Sequence, residues 1–201
     1  MGMKSVLLTG FEPFHKASHN PTQVVVQEIE KLSLPGVTTR VLPVVFNDSS
    51  RILLDLIDEI NPDVVISLGQ AEGRTQITPE KIAVNLDDAR IEDNAGNQPS
   101  NAPVVTGGAD GLFSTLPVND IINRLKSVGI PAAISMSAGT FVCNHIFYAM
   151  QHHCLGRGIQ SGFIHVPLME VQASEFPGLP TMPLDQMIKA VQEIITELQQ
   201  Q

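Results

Sequence analysis

Five short apolar runs, at residues 5–9, 39–44, 63–68, 132–136 and 162–166, alternate along this chain with stretches of helical periodicity. Strands separated by helices line up parallel, with the helices packed on both faces of the sheet. Val64-Val65-Ile66 is apolar at consecutive positions, as a strand covered on both faces must be. Helix signals fill the gaps. Asn20 is placed to cap a helix whose first position is Pro21 and which continues to about residue 32. Further helices are expected at 48–60, stopping before Pro62, at 118–128, from about Cys143 onward, and at 184–199. The expected fold class is α/β with a mostly parallel central sheet. With 201 residues and neither repeat nor linker, one domain spanning 1–201 is expected.

Charge narrows the function class. A formal net charge of -9 argues against general nucleic-acid binding, which requires a basic face. No apolar stretch is long enough to span a bilayer, so no membrane role is expected. Met1-Gly2-Met3-Lys4 runs straight into the first strand-like segment, and no signal peptide is visible. The chain has only two cysteines, Cys143 and Cys154. On one helix they would stand roughly 16 Å apart along the axis. A disulfide needs Cα atoms within about 7 Å, so the two are not expected to pair. Free thiols fit a reducing compartment, and a cytoplasmic location follows as the expectation.

One region breaks the rhythm. Residues 69–117 are rich in Gly, Asn, Asp and Pro, with a strand or hairpin arm expected at 77–86 and a polar run at 87–101. A long irregular segment inside a compact domain usually serves function or moves.

The chemistry-bearing segment is Ser135-Met136-Ser137-Ala138-Gly139-Thr140-Phe141-Val142-Cys143-Asn144-His145. The apolar run before it, Pro131 to Met136, reads as a buried strand, and a helix opens near Cys143. A cysteine at a helix start faces outward-pointing N–H groups, which favour thiolate, the nucleophilic form. His165 closes the strand-like Gly162-Phe163-Ile164-His165-Val166. Ligands sit outside the carboxyl ends of parallel strands, so Cys143 and His165 could share one crevice. A third group should orient the histidine, and Glu80, between apolar neighbours in Ile77-Thr78-Pro79-Glu80-Lys81-Ile82, is the best candidate. Each has a bland alternative: a buried structural thiol, a core histidine, a surface Glu80–Lys81 pair.

Other features are weaker. His15 and His19 have the spacing of a metal pair but lack a third ligand, so neither metal nor cofactor is expected. Gly107-Gly108-Ala109-Asp110-Gly111 lacks the following Gly-Lys-Ser/Thr of a phosphate loop and reads as a turn. Gly10-Phe11-Glu12-Pro13-Phe14 sets two aromatics after the first strand in a chain only 4% aromatic. They either pin a loop to the core or wall an apolar ligand pocket.

Four segments together resemble the pyroglutamyl peptidase type I family of cysteine peptidases, over essentially the whole chain. They are Leu8-Thr9-Gly10-Phe11-Glu12-Pro13-Phe14 with Asn20-Pro21, and Gly69-Gln70-Ala71 through Gly73-Arg74 to Asn85. The third is Ser137 through Asn144, and the last Gly162 through Pro167. The resemblance implies a Cys143–His165–Glu80 triad and an α/β/α sandwich of the phosphorylase/hydrolase-like type. It also implies cytoplasmic location, a homotetramer, and N-terminally pyroglutamylated peptides as substrates, hydrolysed through a thioester. Phe11, Phe14, Asn20, Gln70, Phe141 and Val142 would form the substrate site. The Cys143 N–H and Arg90 are the candidate oxyanion donors. Glu72, between the glycines, and His15-Lys16, after Phe14, depart from the family pattern. Two alternatives remain at this level: a class I glutamine amidotransferase relative, and a small-ligand binder with a structural Cys143.

Overall fold

The computed structural model describes residues 2–15 and 17–200, so Met1 and the Lys16 of the His15-Lys16 departure lie outside the described residues. A five-stranded sheet forms the centre, in the order β2-β1-β3-β7-β4. Strands β1 (Val6–Phe11), β2 (Val37–Leu42), β3 (Val64–Gln70) and β7 (Gln160–Val166) run parallel. The two-residue β4 (Thr78–Pro79) pairs antiparallel with β7. Outside this sheet, β5 (Ile82–Val84) and β6 (Gly111–Phe113) pair antiparallel, and β8 (Leu168–Met169) and β9 (Thr181–Met182) pair parallel.

Alternate strand residues face opposite sides, and each side is apolar. Val6 and Leu8 of β1, with Val64, Ile66 and Leu68 of β3, join one core against α1 (Pro21–Lys31), α3 (Val118–Ser127) and α5 (Leu184–Gln199). Leu7, Val65 and Phe163 join the other, against α2 (Asp48–Ile60) and α4 (Val142–Cys154). The result is the expected three-layer arrangement. The Asn20 cap is also as read: its side chain accepts from Thr22 N–H at 3.0 Å, and Pro21 opens α1.

The run at 132–136 is not a buried strand. It lies along 77–80 through two isolated parallel bridges, Ile77 to Ala132 and Glu80 to Ser135. Pro79 and Pro131 have no N–H to donate, so no regular ladder forms. Ala132 is buried, but Ile134 and Met136 are exposed, because the segment is the outer edge of the sheet.

The expected arm at 77–86 is split between β4 and β5, and the irregular run after it is an excursion between β5 and β6. Side chains hold that excursion in place. Asn85 bonds Val105 through both its amide groups, at 2.9 Å each. Asp93 accepts from the N–H groups of Phe46, Ala95 and Asn97 at 2.8, 2.9 and 2.8 Å.

Candidate active site

The site lies where β3 and β7 end. In their register Gly69 faces His165, and both lie on the sheet face covered by α4. A Cβ on Gly69 would stand 2.6 Å from the Phe163 ring and 3.0 Å from Cys143 Sγ. Only glycine lets the thiol settle against the sheet beside His165.

Cys143 is the second residue of α4. Phe141 caps that helix without a side-chain bond, so its first N–H groups remain available. The next residue, Asn144, fixes the helix start laterally. Its Oδ1 accepts from Val84 N–H at 3.0 Å, and its Nδ2 donates to the carbonyls of Val84 and Leu86 at 2.9 and 3.0 Å.

Glu80 is fully buried, contrary to the surface alternative. Its Oε1 lies 2.7 Å from His165 Nδ1 and 2.7 Å from Arg74 Nη1. Arg74 also bonds Thr78 and, at 3.2 Å, the Ser137 carbonyl. A turn at Gly73, φ 79°, swings the guanidinium back over the strand, while Glu72 beside it is solvent-exposed. Burial pushes the Glu80 carboxyl up, but His165, Ser135 and Arg74 outweigh it and hold it below its usual range. Burial depresses the His165 imidazole, and Glu80 restores only part of that. Glu80 therefore stays ionised and acceptor-only, so Nδ1 carries the proton and the other ring nitrogen is the free base.

The thiol differs from the helix-start expectation. Burial pushes Cys143 up to about 12, and the negative charge of Glu80 acts in the same direction. Desolvation outweighs the helix N-terminus here, and the resting pair is neutral thiol beside neutral imidazole. Cys154 is free as well, at the far end of the same helix.

A small cavity, partly open to solvent, meets the thiol. Phe11, Phe14, Asn20, Val44, Gln70, Phe141, Val142 and Cys143 line it, so six residues expected at a substrate site converge there. The two post-strand aromatics divide their work. Phe11 is the last residue of β1, 2% exposed and 6.4 Å from Phe163 between ring centroids, so it anchors the core. Phe14 is half-buried and faces Phe141 at 6.2 Å. Asn20 holds the loop between them, donating to the Glu12 carbonyl at 3.0 Å. His15 sits at φ 56°, a conformation glycine adopts without strain.

Arg90 is exposed and does not line this cavity; its segment is tied to the site through Asp88, whose N–H donates to the Thr140 carbonyl at 3.0 Å. The His15/His19 pair does not form a ligand cluster: His19 Nδ1 lies 3.1 Å from Ser18 Oγ. Among the described residues, no group of three His, Cys, Asp or Glu side chains could hold a metal ion.

A second array has triad connectivity: His145 Nδ1 lies 2.8 Å from Asp87 Oδ2, and Nε2 lies 3.0 Å from Ser50 Oγ. It ties rather than reacts. Ser50 donates to the Asn47 carbonyl at 2.9 Å, and Asn47 N–H donates to His145 Nε2 at 3.2 Å. The ring thereby clamps α2, α4 and the β5–β6 excursion together.

Comparison with known proteins agrees with this geometry. Residues 4–201 match the family model described as pyroglutamyl peptidase. A pyrrolidone-carboxylate peptidase of Escherichia fergusonii is 46% identical over 200 residues, covering 98% of this chain and 94% of that protein. The crystal structure of pyroglutamyl peptidase I from Bacillus amyloliquefaciens superposes with a TM-score of 0.93 at 38% identity, covering 98% of this chain and 95% of the other. A mutant pyrrolidone carboxyl peptidase from Pyrococcus furiosus gives a TM-score of 0.93 at 38% identity, covering 98% and 99%. The chain belongs to the pyroglutamyl peptidase family and is a hydrolase of that family.

Proposed function

We propose that this chain, acting as one catalytic domain, removes an N-terminal pyroglutamyl residue from peptides through Cys143, His165 and Glu80. The observation that carries the reading is the buried Glu80–His165 pair, 2.7 Å apart, beside an aromatic cavity lined by Cys143. The free nitrogen of His165 takes the thiol proton as Cys143 Sγ attacks the carbonyl joining 5-oxoproline to the next residue. Glu80 holds the ring and balances the imidazolium, and Arg74 keeps Glu80 ionised. Negative charge grows on the carbonyl oxygen, where the Cys143 N–H at the start of α4 donates. Collapse of the tetrahedral adduct breaks the C–N bond, and the imidazolium protonates the leaving amine. Water, deprotonated by His165, then hydrolyses the thioester and returns the proton to sulfur.

A lactam suits the cavity because its ring is small and uncharged. Phe14, Phe141 and Phe11 enclose it, Val142 closes the floor beside sulfur, and Gln70 pairs with a lactam polar group. Cleavage needs neither metal nor cofactor. Free cysteines fit the cytoplasm, and no helix among the described residues is long and apolar enough to cross a membrane. A homotetramer is also proposed. Phe113, Ile134 and Met136 are exposed and all flank Lys81, whose N–H bonds the Ser135 carbonyl and whose ammonium lies 5.9 Å from the Phe113 ring centroid. Sedimentation of Phe113→Asp against wild type tests it; an unchanged mass for both removes this face from the interface.

Release of a fluorogenic amine from its pyroglutamyl amide, with the prolyl amide as control, tests the activity. Fast release from the first alone is expected; equal rates would overturn the lactam pocket.

A further inference from the structure

Gln172 sits in a 3-10 turn, Glu170–Gln172, after β8, and its side chain is fully buried. Three hydrogen bonds hold it and use both Nε2 donors. Its Oε1 accepts from Met169 N–H at 3.0 Å, and its Nε2 donates to the His19 carbonyl at 3.1 Å and to Gln70 Oε1 at 3.0 Å. The two backbone partners leave the carboxamide no choice of orientation. Met169 N–H can only donate and His19 C=O can only accept, so oxygen must face the first and nitrogen the second. The remaining Nε2 hydrogen must then find an acceptor, and Gln70 supplies its oxygen.

We propose that Gln172 is a positioning residue that sets the polarity of the substrate pocket by fixing which end of the Gln70 carboxamide faces it. Gln70 lines the cavity. With Oε1 held by Gln172, Gln70 presents its Nε2 to the ligand. A free carboxamide could turn over at little steric cost, because oxygen and NH2 are alike in size. Locked as it is, the pocket offers a donor to the ring carbonyl of 5-oxoproline. A flipped Gln70 would set oxygen against oxygen. Proline has no ring carbonyl and gains nothing from the donor. The network also ties three walls together: the turn after β8, the end of β3, and the segment before Asn20.

The inference rests on the pyroglutamyl reading of the pocket, and the test separates the two. Gln172→Glu removes the donor and gives Gln70 Nε2 an acceptor, which reverses the amide. Because the lactam contact is made in the ground state as well as the transition state, KM should rise while kcat changes little. The expected loss in kcat/KM for the pyroglutamyl amide is about 10- to 100-fold. The prolyl amide should not lose. In a Gln70→Ala background, Gln172→Glu should add nothing further. If Gln172→Glu fails to fold, Gln172→Met, of similar length and without a donor, carries the same comparison. A wild-type KM in the folded Gln172 variant, or an equal loss in the presence and absence of Gln70, would overturn the positioning role. Wild-type kinetics in Gln70→Ala alone would overturn the pocket reading, and this role with it.

Discussion

Glu80 Oε1 lies 2.7 Å from His165 Nδ1, and the carboxylate is shut away from solvent. A buried charge persists only when paired, and Arg74 at 2.7 Å supplies the counter-charge. The three side chains thus form one line from the Arg74 guanidinium through Glu80 to the His165 imidazole. Glu80→Gln should keep the fold and lower kcat by about 10²–10⁴-fold, because the amide cannot enforce the Nδ1–H tautomer. Arg74→Met should cost less in kcat but lower unfolding stability by about 1–3 kcal/mol, since it strips a partner from a buried carboxylate. Steady-state kinetics with urea unfolding of both variants checks the ordering.

The pH profile follows from the neutral resting pair. His165 must be unprotonated to accept the thiol proton, and burial holds it below its ordinary value of 6.5. kcat/KM should therefore rise through an acid limb centred below 6.5 and stay level across neutral pH. The thiol, pushed up to about 12, should contribute no limb in the neutral range. An acid limb centred above 6.5, or a thiolate absorbance titrating near neutrality in the free enzyme, would contradict the neutral pair.

Phe14 and Phe11 should separate pocket from core. Phe14→Ala should reduce kcat/KM for the pyroglutamyl amide by about 2- to 10-fold, the scale of a lost ring contact, with little change in stability. Phe11→Ala should reduce stability by about 3–5 kcal/mol, because its ring is packed in the core. Thermal melts beside kinetics decide it, and comparable melting losses in both variants would refute the division.

How far the chain could be read in advance varies with the range of the interactions involved. The helices at Asp48–Ile60 and Leu184–Gln199 carry their own periodicity, and Pro62 ends the first, so both were legible. The edge segment at 132–136 was not, because nothing local distinguishes an apolar run that covers a sheet edge from one inside it. Cys143, His165 and Glu80 stand at readable positions, yet Glu80 is buried with the 132–136 edge paired alongside it through Ser135. Arg74 follows only from that burial: a sealed carboxylate needs a cation, and sequence did not reveal the seal. Asn144 and Gln172 have no local signal, since each works through backbone groups far along the chain. The thiol's high pKa likewise reflects packing that spacing does not encode.

Asp93 should anchor the β5–β6 excursion in a pH-dependent way. Burial raises its carboxyl, but bonds from Asn97, Phe46 and Ala95 outweigh this and hold it below 3.8. A depressed carboxylate contributes stability above its unfolded pKa and loses it as pH falls through the folded value. Asp93→Ala should thus cost about 1–3 kcal/mol at neutral pH, and the gap to wild type should shrink below about pH 4. Denaturant titrations at the two pH values measure it; a constant gap would rule out the charged form as the source.

The identity of the nucleophile is tested most directly by turnover of the pyroglutamyl amide in Cys143→Ala and Cys154→Ser, each compared with wild type by circular dichroism. Cys143 abuts Gly69 beside His165, whereas Cys154 is buried at the opposite end of α4. Loss of turnover to background in a folded Cys143→Ala, with most activity kept in Cys154→Ser, is the expected result. Wild-type turnover in Cys143→Ala would contradict it.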